Sequence, residues 1–283
     1  MTLVVVLLLA TAVGAGLWTA CRTTFEAPIL QRTNFRGISV PVGAGVVVVL
    51  AAITVEAVLS VADVVGHDAS AAEVQGRWVV LIVALGFGLL GLFDDLAAHG
   101  DDRGFRGHLT SIVRGRLSTG AIKLFGGGLL AIVAVRAAGA DDLGRLLVGA
   151  ALVALSANLG NLFDRAPGRC TKVALLATVL LVATAGASGR PHLVGVVAVI
   201  GAALGLLAFD LREQLMLGDA GANVLGAAIG IGVVLTSGLV VQAILLAVVA
   251  ALNLISESIS FSSVIDQTTP LRWLDRLGRR APA

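Results

Sequence analysis

Two aspartates stand side by side at the end of an apolar run, Gly91 to Asp95, in a chain with few charged side chains. At the C-terminal end of a helix, Asp94 and Asp95 face the negative end of the helix dipole and each other. A divalent cation offsets both penalties. Magnesium suits such a pair, because it is a hard ion usually held by one or two carboxylates together with phosphate oxygens. A solvated helix end is the plainer account of the same residues.

Further along, Lys123 opens a new apolar run and is one of only two lysines, with Lys172. A lysine at a helix N-terminus meets the positive end of the dipole, so a bound anion would stabilise both. Snorkelling to a membrane interface is the alternative. Asn158, Asn161 and Asp164 follow at three-residue spacing, on one face of a helix's last turn. Polar groups stacked there are costly in a membrane unless they line a cavity or hold a ligand. Arg165 and Arg169 come next and could grip phosphate, or serve only as positive charges at the membrane edge. Arg36 sits in a segment with Gly37, Pro41, Gly43 and Gly45. Glycines there allow close backbone approach to a ligand, and equally suit a helix-entry turn. Asp219, in the Leu215 to Asn223 segment, is either a ligand or an N-cap.

The elements that must position these residues are membrane helices. Of the 283 residues, 57% are hydrophobic and 13% charged, with a mean hydropathy of +0.97, whereas soluble domains carry about 25% charged residues. The apolar residues fall in blocks of roughly the length that crosses a bilayer as a helix. We expect an all-α integral membrane fold, a polytopic bundle of about nine transmembrane helices forming one domain over 1–283. The expected spans are 2–20, 42–63, 78–93, 122–138, 144–163, 172–188, 193–209, 220–236 and 238–256. The first lacks a basic leader and a small-residue cleavage site, and reads as a retained span.

Basic residues give the orientation. With the N-terminus outside and the C-terminus inside, only Arg77, Arg136, Arg145 and Arg190 of the 20 Lys and Arg residues fall outside. All the segments described above then share the cytoplasmic face. Two stretches pair apolar residues at helical spacing with arginines: Leu109, Ile112, Val113 and Leu117, and Leu271, Leu274 and Leu277. Both read as amphipathic helices lying on the membrane surface. Glu56 is an acid inside the second span, and pairs with a partner in the bundle or lies near the outer interface. Cys21 and Cys170 are placed on the reducing side, so no disulfide is expected. The arginine bias, with abundant Ala, Val, Leu and Gly, suits a GC-rich bacterial genome. No histidine pair has metal-ligand spacing, no phosphate loop or nucleophile elbow occurs, and no nucleic-acid partner is expected.

In this order, the loops resemble the polyprenyl-phosphate N-acetylhexosamine-1-phosphate transferase family (glycosyltransferase 4 type). That family includes phospho-N-acetylmuramoyl-pentapeptide transferase of peptidoglycan synthesis. The likeness rests on Asp94-Asp95, on Asn158, Asn161 and Asp164, and on Met216 and Gly218-Asp219 followed by Gly221, and it runs from Arg36 through most of the chain. The resemblance implies a Mg2+-dependent transfer of sugar 1-phosphate from a UDP-sugar to polyprenyl phosphate, with release of UMP. The setting is the cytoplasmic face of a bacterial plasma membrane, in cell-envelope polymer synthesis.

It implies Asp94, Asp95 and Asp164 as catalytic residues, with Asp219 and Asp95 on the metal. Arg36, Lys123, Asn158, Asn161, Arg165 and Arg169 are implied in substrate binding, and a homodimer is compatible with it. Three features depart from the family. The histidine-rich loop before the last span is replaced by Glu257 to Gln267, without histidine; Pro167 stands where a second acid is usual; and no tenth span follows. A non-catalytic relative that binds a lipid carrier is therefore a second reading. A transporter is a third, disfavoured because the acids gather at one face rather than at mid-membrane.

Overall fold

The computed structural model describes residues 2–34, 36–66, 68–97 and 119–280. Nine helices answer the nine expected apolar segments: α1 (Leu3–Cys21), α2 (Val46–Val64), α3 (Ala71–Ala97), α4 (Thr119–Ala137), α5 (Leu143–Phe163), α6 (Arg169–Thr184), α7 (Val194–Asp210), α8 (Asp219–Thr236) and α9 (Leu239–Ser256). Eight helices among the described residues are long and apolar enough to cross a membrane. The chain is thus a multi-pass helical membrane protein.

The segment expected as a span over 172–188 is the exception. Its helix, α6, has 16 residues, or about 24 Å at 1.5 Å per residue, short of the ~30 Å hydrocarbon core. It starts early at Arg169 and stops early, because Gly186 adopts φ +64° and redirects the chain into short helical turns over 186–193 that lead into α7.

Between α1 and α2 the chain makes a small hairpin, β1 (Gln31–Thr33) and β2 (Ser39–Pro41), paired antiparallel with Arg32 opposite Val40. Asn34 shapes its turn, its Oδ1 accepting the amides of Arg36 (2.9 Å) and Ile38 (3.0 Å). After α9 come two short helices, α10 (Phe261–Gln267) and α11 (Thr269–Arg276).

The core is built around α7 and α8, 72% of whose most apolar stretches are buried; the figure for α9 is 6%. α8 packs chiefly against α5 and α3, and α1 against α7. Such packing is possible because small residues let backbones approach. At the start of α8 the fit is tightest: a Cβ on Gly45 would strike the backbone of Gly221, and one on Gly91 the backbone of Asp219. Three helix ends therefore meet at one turn.

Glu56 lies buried in α2 and pairs with Arg77 of α3 through Nε (2.9 Å) and Nη2 (2.8 Å), while Arg77 Nη1 lies 2.8 Å from Asp63. The expected bundle partner of Glu56 is thus Arg77. Cys21 and Cys170 are free thiols. The surface helix expected around Leu109 to Leu117 lies outside the described residues.

Candidate functional site

α8 begins without a cap of its own. Its N-cap is Gly218, at φ +66° and ψ −175°, which has no side chain to accept the first amides of the helix. Asp95, from the end of α3, supplies the acceptor. Its Oδ1 takes the amide of Asp219 and its Oδ2 that of Ala220, each at 3.0 Å. Glycine at 218 answers both to the positive φ and to space, since a Cβ there would come within 2.6 Å of the Asp95 carboxylate. The Asp95 carbonyl in turn accepts from Arg32 Nη2 at 2.9 Å. The strand leading out of the hairpin fixes the same turn from the other side. Met216 N–H donates to Pro41 (2.7 Å) and Gly45 N–H to Leu217 (2.9 Å).

This arrangement brings together residues far apart in sequence. Lys123, at the start of α4, forms an ion pair with Asp219 and stands 3.9 Å from Asp94. Asp164 caps the end of α5. Burial pushes its carboxyl well above the ordinary carboxylate range, reinforced by Asp210, Asp219 and Asp95 and partly offset by the Gly218 amide. Asp210 ends α7 and accepts the Gly168 amide at 2.9 Å, closing the turn that follows Asp164.

Asp210 escaped the sequence reasoning. It terminates a wholly apolar helix as a single acid with no motif around it, and a lone buried acid at the same membrane face as the others was its only signal.

The other expected binding residues divide. Arg36 faces Glu213, with Nε 3.1 Å from Oε1, and Asn34 donates to the same carboxylate at 2.8 Å. Glu213 holds this position at φ +59°, a strained conformation for a residue with a side chain. Asn161 is half-buried on the last turn of α5, above Asp164. Asn158 instead donates to Asn253 of α9 at 2.6 Å, and Asn253 returns a bond to the Leu155 carbonyl at 3.2 Å. It joins α5 to α9.

Arg165 is exposed and borders a groove of 270 Å³ whose other wall is the Ser256 to Ser262 segment. Arg169 has left the phosphate-binding set. It is 4% exposed, holds Asp275 through Nε (2.8 Å) and Nη2 (3.0 Å), and donates to Ser262 at 2.7 Å. A guanidinium fork matches a carboxylate as well as it matches a phosphate, and here the carboxylate comes from the chain itself.

Asp95, Asp210 and Asp219 thus act on Asp164 by charge, and Asp94 adjoins Asp219. Lys123 pairs with Asp219 and stands near Asp94, while the charges of Arg279 and Lys172 act on Asp210. Several carboxyl groups at one turn could accept a divalent cation. Among the described residues, no three acidic, histidine or cysteine side chains form a ready cage. Magnesium usually keeps several waters and takes one or two carboxylates plus phosphate oxygens. Asp219 and Asp164 are the side chains that would hold it. The oxygens of Asp95 already receive two amides, which gives this residue the task of holding Asp219 in place.

No protein-family model matches the chain, and no curated protein is similar to it.

Proposed function

We propose that the chain is a Mg2+-dependent phosphosugar transferase. It moves the sugar 1-phosphate of an N-acetylated amino sugar from a UDP-sugar to polyprenyl phosphate, releasing UMP, at the cytoplasmic face of a bacterial plasma membrane. The reading is carried by one observation: Asp94, Asp95, Lys123, Asp164 and Asp219, from four separate stretches of a membrane bundle, meet around the first turn of α8.

Two anionic substrates, one lipid-borne and one water-borne, must come together for such a reaction. That calls for positive charge at the end of a membrane bundle. An oxygen of the lipid phosphate attacks the β-phosphorus of the UDP-sugar. The bond from that phosphorus to the bridging oxygen breaks, and UMP leaves with the oxygen. Lys123 reaches the site from α4 and neutralises the departing phosphate. Asp219 and Asp164 would hold the metal, which would supply charge neutralisation to the phosphoryl oxygens. Asp95 and Gly218 fix the position of Asp219. Asp94, beside Lys123, orients the ammonium. Asn161 and Arg165 border the approach of the nucleotide sugar, and Arg36, tied to Glu213, holds the hairpin against the loop before α8.

The test is UMP release by purified protein with undecaprenyl phosphate, a panel of UDP-sugars and magnesium. Release that is lost in Asp219→Asn supports the transferase and names its donor. Folded protein that releases no UMP with any donor favours the non-catalytic relative, as the pairing of Lys123 with Asp219 and the proline at 167 would suit.

A further inference from the structure

We infer that α10 and α11 form a strap laid on the anionic surface of the bilayer, and that its seating there steadies the turn from Asp164 to Gly168. The membrane-length helix α9 ends at Ser256, and α10 begins at Phe261, so the strap emerges at the bilayer boundary. α11 has two unlike sides. Leu271, Trp273 and Leu274 are all exposed and fall within an arc of roughly 160° on its helical wheel, and exposed Leu277 follows just past its end. Arg276 borders this arc and Arg272 stands opposite its centre, both bonded to Asp266, with Arg280 just beyond the helix. Apolar residues and a tryptophan on one face with arginines beside them is the pattern of helices that lie in the headgroup region.

A partner protein is a poor occupant of this face. One side of an eight-residue helix offers on the order of a few hundred Å², below the ~1,200 Å² of a stable interface. Its basic rim, by contrast, complements anionic headgroups, and exposed Arg165 and Arg212 at the same end extend it.

The protein-facing side of α11 grips the site's frame. Asp275 is 7% exposed and takes Arg169 and Arg279 together. Lys172 closes the C-terminal end of α11 by donating to the carbonyls of Asp275 (2.8 Å) and Leu277 (2.7 Å). Arg279 Nε donates to the Pro167 carbonyl at 3.0 Å, inside the turn between Asp164 and α6. The strap therefore touches the one turn that carries Asp164 and receives Asp210. Anionic lipid that holds α11 down also holds this turn.

Lipid seating of the strap is independent of the transfer reaction and is read without it. Full-length protein in nanodiscs of phosphatidylcholine alone, or of equal parts phosphatidylcholine and phosphatidylglycerol, is compared by hydrogen exchange. Residues 261–280 should exchange more slowly in the anionic discs. Arg272→Gln and Arg276→Gln should each return about fivefold of that protection. Emission from Trp273, taken as the difference from Trp273→Phe, should shift to the blue. Asp275→Asn should quicken exchange over 164–168 while α8 keeps its protection, which reports an intact fold. Equal exchange over 261–280 in the two lipids overturns the seating, as does protection found only in discs holding two copies. Unchanged exchange over 164–168 in Asp275→Asn overturns the coupling.

Discussion

The carboxylate of Asp95 caps the helix that Asp219 begins: a side chain at the end of α3 receives the first two amides of α8, each at 3.0 Å. An acid expected at the metal thereby has a prior structural task. Losing a capping acceptor typically costs about 1 kcal/mol, and more when the freed amides are buried. Asp95→Ala should lower the thermal midpoint measurably in detergent. Asp95→Asn, which keeps one oxygen, should recover part of the loss. Equal midpoints for the wild type and the alanine variant would show that the cap contributes nothing.

Removing magnesium should stop UMP release, and adding it back should restore it. Metal alone should also raise the unfolding temperature, because a ligand at 100 times its Kd stabilises by about 2.7 kcal/mol. Neither effect should survive in Asp219→Asn. A metal-induced rise that persists in this variant would move the ion away from Asp219.

Lys123 bridges two acids, so its replacement uncovers like charges. Lys123→Met should cut kcat/KM by two orders of magnitude or more, on the order of the loss seen when one preorganised charge partner is removed from an active site. Turnover within a few-fold of wild type would leave Lys123 as a structural ion pair alone.

The Arg169 and Asp275 side chains are each 5% exposed, so breaking the pair leaves a buried charge. Arg169→Ala or Asp275→Ala should destabilise by about 3–5 kcal/mol, and the double variant by clearly less than the sum. Arg169→Lys should rescue little, since an ammonium cannot reproduce the two-pronged contact. Additive losses in the cycle would contradict the pairing.

Acid should release the same contact. Burial alone would raise the Asp275 carboxyl, but the hydrogen bond and charge of Arg169, then Arg279 and Lys172, outweigh it and hold it below its ordinary value of 3.8. A depressed carboxylate contributes stability that is full above the unfolded pKa and is lost as pH falls through the folded one. Proteolysis after Gln267 should therefore stay slow at about pH 5 and quicken only below 3.8, the quickening being absent in Asp275→Asn, which is cut readily throughout.

Much of this was legible in the sequence. Runs of apolar residues gave most helices to within a few residues, because hydrophobic thickness sets helix length directly, but α3 starts at Ala71, seven residues before the expected 78, where Glu73 and Arg77 interrupt the apolar run. The positions of Asp94, Asp95, Asp164 and Asp219 drew notice for the same reason that they meet: acids at membrane-helix ends are rare enough to stand out. What escaped was pairing across distance. Nothing near Arg169 announces Asp275, which lies 106 residues away, and a basic residue beside a proline-glycine turn reads as a phosphate ligand until its partner is seen. Asn158 shared a helical face with Asn161, yet its amide turns to Asn253 because α9 packs along that side of α5. Spacing fixes which face a residue takes, not which neighbour occupies it. The shortness of α6 was likewise hidden, since an apolar run continues through Ala185 although Gly186 breaks the backbone.

The first turn of α8 belongs to one of the two most buried spans among the described residues and is clamped there by Gly45, Gly91 and the Asp95 cap. Local opening is cheapest in loops and fraying ends and dearest in the packed centre. The acids of this protein ride on the centre. Their arrangement should therefore open late, and amide exchange at Asp219 and Ala220 should be much slower than at the first amides of α9, which is 6% buried.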